Sequence, residues 1–371
     1  MRLGINGWRL CGPRTGVARY LLNVIRHWTP EATSVFREIT IYTPRPLDRR
    51  HAPLPPNIRE RVLSPQLPMI LWENARLAAV CRDDVLFCPS YSRPLVSLAR
   101  TVVATHDVIY HVRPDLFPRS VRLFYRRLYD WSDRHATAIT TLGETVKREI
   151  VQYCRVPAAK IHAIYPAPAE SFGPAADRAA VEAVRRRYTG GDAPFFVFVG
   201  KMTGRRSLRC LVEAFALFKQ RTGAPHTLVL VGLNPAGLDL TSLAAQLGVA
   251  GQVILTGFVE DDDLNLIYNA AETLVMPSVY ETTSLPVMEA QACGLPVICI
   301  ETSGLAEITA DTAVRVSTMK PWTLADAMTR LASDPELRRE LSRKGLENAR
   351  RFSWRRCSAE TMTVLESAAR A

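Results

Sequence analysis

The sequence predicts an α/β protein with two doubly wound parallel sheets, and three observations carry this prediction. Short apolar runs recur along the chain and alternate with stretches whose apolar residues follow helical spacing, which is typical of repeated βα units. The 371 residues are enough for two domains of ordinary size. A proline- and alanine-rich stretch at 166–176 has little periodicity and suits a linker. We therefore expect two Rossmann-like domains that meet near residue 170 and face a cleft.

Composition and charge narrow the classes of function. The chain is 47% hydrophobic and 22% charged, has no apolar run long enough to span a membrane, and does not start like a signal peptide, so we expect it in the cytoplasm. A net charge of +11 and a pI near 9.5 favour an anionic partner. Acidic lipid and sugar-nucleotide phosphates fit this better than nucleic acid, because no motif that binds nucleic acid is present. The eight cysteines show no metal or redox spacing and are expected to be reduced packing residues.

The first half of the chain predicts buried strands joined by helices. A strand at 2–5 is followed by a Gly-, Pro- and Arg-rich loop at 6–15 and by a helix at 16–28. Further strands are predicted at 39–42, 85–88, 101–105, 136–141 and 160–165, and a helix at 144–153. The stretch 44–68 is rich in proline and arginine and is expected to be an exposed connection.

The strand at 101–105 ends in His106 and Asp107. Open parallel sheets bind ligands at the carboxyl ends of their strands, so a histidine here could hydrogen-bond a sugar hydroxyl or balance phosphate charge. An ordinary loop histidine with satisfied ring nitrogens is the alternative.

The segment 118–134 has apolar residues at helical spacing and arginines on another face. One interpretation is a surface helix whose apolar stripe packs in the core. The other is a basic amphipathic helix that lies against acidic lipid headgroups.

The second half opens with a continuous apolar strand at 195–199, a loop that contains Gly200, Lys201, Arg205 and Arg206, and a helix at 208–221. Cations and free backbone N–H groups at a helix start suit a diphosphate, although such cations can also simply be solvated. No Gly-x-Gly-x-x-Gly is present, which argues against a dehydrogenase. The remaining units are strands at 227–232, 253–257 and 273–276 and helices at 240–247 and 261–271.

The stretch 274–300 predicts a strand, a loop, a helix from 285 to about 293 and a second strand. Ser284 or Thr283 could cap the helix, and Pro286 is tolerated in its first turn. A helix start at the carboxyl end of a parallel strand attracts anions, so this unit suits a phosphorylated ligand. Two carboxylates belong to the unit, Glu281 in the loop and Glu289 in the helix.

These residues carry a resemblance to a known family. Glu281, Glu289 eight positions later and the Glu-Ala-x-Ala-x-Gly-x-Pro-Val run that starts at Glu289 resemble the paired-glutamate motif of retaining glycosyltransferases of family 4, the glycosyl transferases group 1, which have the GT-B fold. Two departures are visible. The loop after Glu281 is Thr-Thr-Ser where the family usually has Gly-Phe-Gly, and Lys201 and Arg206 stand where the family has arginine and lysine.

The resemblance implies roles for particular residues. Lys201 and Arg206 would neutralise the leaving diphosphate, Glu281 would orient the donor sugar, Glu289 the ribose, and His106 would contact the sugar from the first domain. The implied donor-binding residues are Gly16, Gly200, Phe258, Thr283, Ser284, Leu285 and Glu289. Gly16 has an equally weighted alternative, a glycine that only permits a tight turn. No metal or other cofactor is expected besides the nucleotide sugar as co-substrate.

The implied function is a retaining hexosyltransferase that moves a hexose, mannose being weakly favoured, from a nucleotide diphosphate sugar such as GDP-mannose to a glycan or lipid-linked acceptor. The product would be a polysaccharide or glycolipid made at the inner face of the membrane. Residues 1–170 would form the acceptor side, with a helix at 355–371 crossing back onto it, and 171–354 the donor side. A sugar-nucleotide epimerase of the same fold and a non-catalytic sugar-nucleotide-binding partner are the alternatives.

Overall fold

The computed structural model describes residues 1–12, 16–301 and 303–371. Of Ser303 it describes the backbone but not the side chain. The end of the predicted loop at 6–15 lies outside the described residues. The chain forms two compact units, Met1–Pro166 with Ser353–Ala371 and Ala167–Phe352. Each unit contains one parallel sheet, of seven and six strands respectively, so the predicted fold class is confirmed.

The first unit has the strand order β3-β2-β1-β4-β5-β6-β7. Its strands are β1 Arg2–Asn6, β2 Glu38–Thr43, β3 Ile58–Val62, β4 Val85–Cys88, β5 Arg100–Ala104, β6 Ala138–Thr141 and β7 Ile161–Ala163. The direction of strand progression reverses between β1 and β4. Loops that leave neighbouring strands at such a reversal diverge to opposite faces, which opens a crevice at the carboxyl edge.

The helices of the first unit cover both faces of this sheet. They are α1 Gly16–Arg26, α2 Met69–Trp72, α3 Ala78–Val80, α4 Ile109–Val112, α5 Arg119–His135 and α6 Glu144–Glu149. π-Helical turns follow α2 and α6, at Glu73–Leu77 and Ile150–Cys154. The last helix of the chain, Trp354–Arg370, also packs in this unit, where Ser358 donates a hydrogen bond of 2.8 Å to the carbonyl of Val24.

Strand β3 lies in the stretch 44–68, for which no element was predicted. It is an edge strand with one neighbour, β2, and only Ile58 of its five residues is buried. Its residues therefore carry no apolar alternation, because backbone pairing and not burial holds the strand in place.

Helix α5 agrees only in part with the interpretation that its apolar stripe packs in the core, since Tyr125 and Tyr129 pack against the core of the first unit as partly buried side chains. Its fully buried residues are Asp130, Ser132 and Asp133, all near the carboxyl end. In the first half, Val121, Leu123 and Phe124 are 36%, 50% and 51% exposed. The first half of the helix thus presents apolar side chains and arginines together to solvent.

The second unit has the strand order β10-β9-β8-β11-β12-β13, which reverses between β8 and β11. Its strands are β8 Phe195–Val199, β9 Thr227–Val231, β10 Val253–Gly257, β11 Thr273–Met276, β12 Val297–Ile300 and β13 Val314–Val316. Its helices are α7 Arg178–Thr189, α8 Leu208–Thr222, α9 Leu240–Gln246, α10 Asp261–Ala270, α11 Leu285–Ala292, α12 Ser303–Thr309, α13 Pro321–Ser333 and α14 Pro335–Ala349, so the helix Trp354–Arg370 is α15. All five residues of β8 are buried, as expected of a central strand covered by helices on both faces.

Among the described residues, no helix is both long and apolar enough to cross a membrane. The eight cysteines are free thiols, and all except Cys210 are buried, in agreement with a packing role.

Candidate active site

The predicted phosphate loop and glutamate loop lie side by side in the second unit. The loop from Gly200 to Ser207 leaves β8, and the loop before α11 leaves β11. These two strands are neighbours exactly where the strand order reverses, since β8 pairs with β11 on one side and β9 on the other. The crevice at this edge is therefore where an open parallel sheet binds ligands.

Arg206 and Glu281 form a buried ion pair at this edge. Arg206 Nη1 lies 2.5 Å from Glu281 Oε1, and the two side chains are only 9% and 4% exposed. The same Nη1 donates to Ser278 Oγ at 2.9 Å. Burial lowers the pKa of Arg206 and the Glu281 carboxylate opposes that shift. Because arginine ordinarily titrates above pH 12, the guanidinium stays charged.

Arg205 joins the two loops as well, although the predicted site residues did not include it. Its Nη1 lies 3.3 Å from Glu281 Oε1 and donates to the carbonyl of Tyr280 at 3.3 Å. The backbone N–H of Val279 in turn donates to the carbonyl of Arg205 at 2.9 Å. The side chain of Arg205 is 35% exposed and Lys201 is exposed, so these two cations are accessible to solvent, whereas Arg206 is buried. The sequence did contain a signal for Arg205, namely its position directly before Arg206 in the predicted phosphate loop.

Three glycines end strands β8, β9 and β10 at this edge with positive φ angles. They are Gly200 at 143°, Gly232 at 133° and Gly257 at 71°. A Cβ on Gly232 would lie 2.2 Å from the carbonyl oxygen of Gly200, so the two loops touch through backbone alone. The sequence predicted a role for Gly200 but not for Gly232, although the loop at Gly200 can approach this closely only if residue 232 has no side chain.

The start of α11 offers donors to a ligand. Ser284 is the N-cap residue, but its side chain makes no capping hydrogen bond, and its buried Oγ has no partner among the described atoms. Leu285 and Thr283 are partly buried beside it, and Thr283 Oγ1 lies 3.8 Å from Met288 Sδ. Hydroxyl and helix-start N–H groups together suit a phosphate.

Glu289 lies inside α11 and is 2% exposed. It accepts a hydrogen bond of 3.0 Å from Tyr268 Oη, a contact between α11 and α10 that orients the carboxylate. Tyr268 was not predicted. At the end of β10, Phe258 follows Gly257 and is 60% exposed, which is unusual for a phenylalanine and leaves its ring free to stack on a planar ligand.

Gly304 packs against the backbone of the loop that carries Glu281. A Cβ on this residue would lie 2.1 Å from the carbonyl oxygen of Glu281 and 2.4 Å from that of Thr282. The first turn of α12 therefore packs directly against the loop, and only glycine leaves room for it. For Gly16, no described atom outside its chain neighbours and its own helix's backbone lies within 4 Å of where a Cβ would be, and its donor role stays a prediction.

In the first unit, His106 follows β5 as predicted and is 6% exposed. Its Nε2 lies 2.8 Å from the carbonyl oxygen of Pro89, and the rings of Tyr20 and Tyr91 flank it at 5.0 and 5.3 Å. Burial lowers its pKa, so the imidazole is neutral at neutral pH with Nε2–H donating to Pro89. A neutral ring can hydrogen-bond a hydroxyl, whereas balancing phosphate charge requires the cationic form that burial disfavours; the role of His106 stays a prediction.

Glu73 lies at the reversal point of the first sheet and carried no sequence signal. It starts the π-helical turn after α2 and is fully buried. Asn6 Nδ2 donates to its Oε1 at 2.8 Å, and Ser92 Oγ donates to its Oε2 at 2.8 Å. Burial raises the pKa of Glu73 to about 7. The carboxyl group thereby ties the end of β1 to the loop after β4.

The chain is similar to several known proteins. The model of the family described as Glycosyl transferases group 1 matches residues 182–348. The O-antigen chain mannosyltransferase B of Escherichia coli is 27% identical over 285 residues, 76% of this chain and 74% of that protein. The structure of HepE from Anabaena in complex with UDP and glucose aligns with a TM-score of 0.78, 15% identity and 99% coverage of both chains. The structure of WaaG, a glycosyltransferase involved in lipopolysaccharide biosynthesis, aligns with a TM-score of 0.75 at 15% identity over 98% of this chain and 99% of that one. At these identities the two structural likenesses establish the GT-B fold and nothing finer.

Proposed function

We infer that the chain, whose residues 182–348 match the model of the glycosyl transferases group 1, is a member of that family, and we propose that it transfers a sugar from a nucleotide diphosphate sugar to an acceptor hydroxyl with retention of configuration. The observation that carries the proposal is the ion pair of Arg206 with Glu281 at the reversal point of the second sheet, beside two outward cations. The second unit is the proposed donor side and the first unit the acceptor side.

We propose that Lys201 and Arg205 stabilise the negative charge that develops on the leaving diphosphate. The N–H groups at the start of α11 and Ser284 Oγ bind its oxygens, with Gly200 allowing close backbone approach. These cationic and dipolar groups take the place that a metal ion holds in other transferases. Arg206 keeps its proposed role beside the diphosphate, and its buried contact with Glu281 also holds that carboxylate in position.

The remaining proposed contacts orient the donor. Glu281 lies by the sugar, Glu289 accepts from the ribose hydroxyls while Tyr268 fixes its orientation, and Phe258 stacks on the base. His106 hydrogen-bonds a sugar hydroxyl, and Gly16 lies by the phosphates. No side chain in the set is an evident nucleophile, so the acceptor oxygen attacks on the face that the diphosphate leaves, and the departing phosphate takes its proton.

The proposed sugar is a hexose, and mannose from GDP-mannose is favoured because a relative is named as a mannosyltransferase. The proposed acceptor is a glycan or lipid-linked glycan of a polysaccharide or glycolipid. A thermal-shift screen of GDP-, UDP- and ADP-hexoses tests the donor, since the true donor stabilises the folded protein in proportion to its affinity. A donor-hydrolysis assay with the same compounds then identifies the sugar that is activated.

Two variants separate transfer from the alternatives. Glu281→Gln and Lys201→Ala should each abolish most of the transfer activity. If both variants keep full transfer activity, the roles proposed for Glu281 and Lys201 are wrong. If the unaltered protein binds the donor but transfers no sugar to any acceptor, the chain is a non-catalytic binding partner. Conversion of the donor sugar without any acceptor favours an epimerase.

We further propose that the first unit attaches peripherally to the anionic inner face of a membrane. The exposed Val121, Leu123 and Phe124 of α5 accompany Arg119, Arg122, Arg126 and Arg127, which is the composition of an interfacial helix. A loop of the same unit exposes three more aliphatic side chains, Leu95, Val96 and Leu98, which are 54%, 74% and 74% exposed.

Co-sedimentation with vesicles tests this attachment. We expect binding to vesicles with phosphatidylglycerol, little binding to pure phosphatidylcholine, and loss of binding in a Leu123→Ser/Phe124→Ser variant. Leu233→Ser, which replaces an aliphatic residue of the second unit that is 52% exposed, is the matched control. Equal binding to both kinds of vesicle would contradict an electrostatic membrane site.

A further inference from the structure

A groove of about 610 Å³ lies in the second unit at the edge of the sheet opposite the candidate active site. Its lining includes Pro194, Glu272 and Pro296, the residues directly before β8, β11 and β12. Because these strands are parallel, their amino ends share one edge, and the donor loops leave from the other. The groove is therefore separate from the site described above.

Four arginines line this groove. Arg185 comes from α7, and Arg338, Arg339 and Arg343 come from α14. Glu272 is the one carboxylate in the lining, so four positive charges against one negative leave a net charge of +3. Its volume is within the range of about 300 to 1,000 Å³ that is typical of small-molecule sites.

Two of the arginines are held in place by backbone carbonyls. Arg185 donates to the carbonyl of Ala270 through Nε and Nη2 at 3.4 and 3.3 Å. Arg338 Nη1 donates to the carbonyl of Ala332 at 2.9 Å, and its Nη2 lies 3.9 Å from Glu272 Oε2. Glu272 is also bonded to His226 Nε2 at 2.9 Å, so its negative charge is partly engaged elsewhere. These contacts orient two guanidinium groups before any ligand arrives.

The other two arginines are at the rim and can turn inward. Arg339 pairs with Glu336, and Arg343 lies 3.8 Å from Glu347, all with side chains at least 67% exposed. Exposed pairs of this kind are weak and are screened by salt. Arg339 and Arg343 are one helical turn apart on α14, so both can reach the same anion.

We propose that this groove binds a small anion with two or more phosphate groups. One guanidinium group can bind two oxygens of a phosphate through two parallel N–H···O hydrogen bonds. Two prepositioned and two adaptable arginines therefore match a ligand with at least two phosphates better than a single carboxylate or sulfate. Ser342, on the same face of α14, adds a hydroxyl donor. The proposal does not depend on the transferase activity.

Calorimetric titration of the full-length protein with inorganic pyrophosphate and with ADP tests the proposal. Because both probes could also bind at the donor edge, the titrations are made in a Lys201→Ala/Arg205→Ala background as well as in the wild type. We expect that background to retain a binding event that Arg339→Ala/Arg343→Ala weakens at least about tenfold. Arg350→Ala, which removes an exposed arginine from the end of the same helix outside the groove, is the matched control and should bind as the parent does.

The outcomes separate the possible ligands. Tighter binding of ADP than of pyrophosphate, still lost in Arg339→Ala/Arg343→Ala, assigns the groove to a nucleotide, and equal affinity assigns it to an inorganic oligophosphate. The proposal is overturned if no binding remains in the Lys201→Ala/Arg205→Ala background. It is also overturned if the groove variant, shown by thermal unfolding to be folded, binds both probes as tightly as its parent.

Discussion

At the scale of single residues, the neighbouring Arg205 and Arg206 differ in burial. Arg206 is buried against Glu281, whereas Arg205 contacts the same carboxylate from a partly exposed position. Removing one partner of a buried pair leaves an uncompensated charge in a poorly solvated place, but removing an exposed partner does not.

We predict that Arg206→Ala destabilises the protein by about 3 to 5 kcal/mol because it leaves the Glu281 carboxylate buried without its main counter-ion. Arg205→Ala should cost less than about 1 kcal/mol while it raises the KM for the donor. Urea unfolding of both variants measures the difference. Equal stability of the two variants would contradict the assigned roles.

The pKa of Glu73 predicts a dependence of stability on pH. It is about 7 in the folded protein against 4.5 for an ordinary glutamate, so between these values the folded state binds more protons than the unfolded state. The free energy of unfolding should therefore fall as pH rises from 4.5 to 7 and change no further above 7 on account of this group. The full effect of such a shift is on the order of 3 kcal/mol.

Glu73→Gln tests this dependence because the amide fills the same space between Asn6 and Ser92 and cannot ionise. We expect the variant to lose less stability than the wild type between pH 5 and pH 7.5 in chemical denaturation. Part of the slope should remain, because burial also raises the pKa of Asp133 to about 7. Parallel pH profiles of variant and wild type would show that Glu73 is not the titrating group.

At the scale of elements, the loops of the second unit also meet at close backbone contacts that only glycine permits. The first turn of α12 packs on the Glu281 loop at Gly304, and the loops after β8 and β9 touch at Gly232. The contact at Gly304 fixes the backbone of Glu281, so a glycine of another element helps to determine where the carboxylate lies.

We predict that Gly304→Ala lowers kcat/KM at least about tenfold, because its methyl group must displace the Glu281 carbonyl and the reacting geometry tolerates little movement. Helix propensity alone would make Gly304→Ala stabilise the folded protein by about 1 kcal/mol. A loss of activity and of stability would therefore result from the clash of the new methyl group with the Glu281 carbonyl. Gly345→Ala, inside α14, is the control for a change of glycine to alanine in a helix, since its Cβ would lie no nearer than 3.5 Å to a neighbouring atom. Unchanged kinetics of Gly304→Ala would contradict the positioning role.

At the scale of the whole molecule, the first unit is built from both ends of the chain. Helix α15 buries nine residues there, including Trp354, Met362 and Leu365, whereas the core of the second unit lies within residues 172–341. Loss of α15 would expose apolar surface on the first unit, and each of its large side chains contributes about 1.5 to 3 kcal/mol when buried.

We therefore predict that residues 1–166 alone do not fold cooperatively, whereas residues 167–352 fold and bind the nucleotide donor. Thermal unfolding followed by circular dichroism measures both fragments. Adding residues 353–371 to the first fragment through a flexible linker should restore a cooperative transition. A sharp transition of the 1–166 fragment without that addition would show that α15 is dispensable.

The sequence by itself determined the fold class, most strands and helices, and the two motifs of the candidate site. These depend on interactions between residues close in the chain: apolar runs, helical spacing, helix starts and the separation of Glu281 from Glu289. Edge strand β3 was missed because a strand with one neighbour needs little burial.

Only the tertiary structure decided that Arg206 contacts Glu281, that Glu73 joins Asn6 to Ser92, that Gly304 packs against the glutamate loop, and that arginines of α7 and α14 line one groove. These contacts join residues far apart in the chain, and no local pattern records which distant segments meet at the same edge of a sheet.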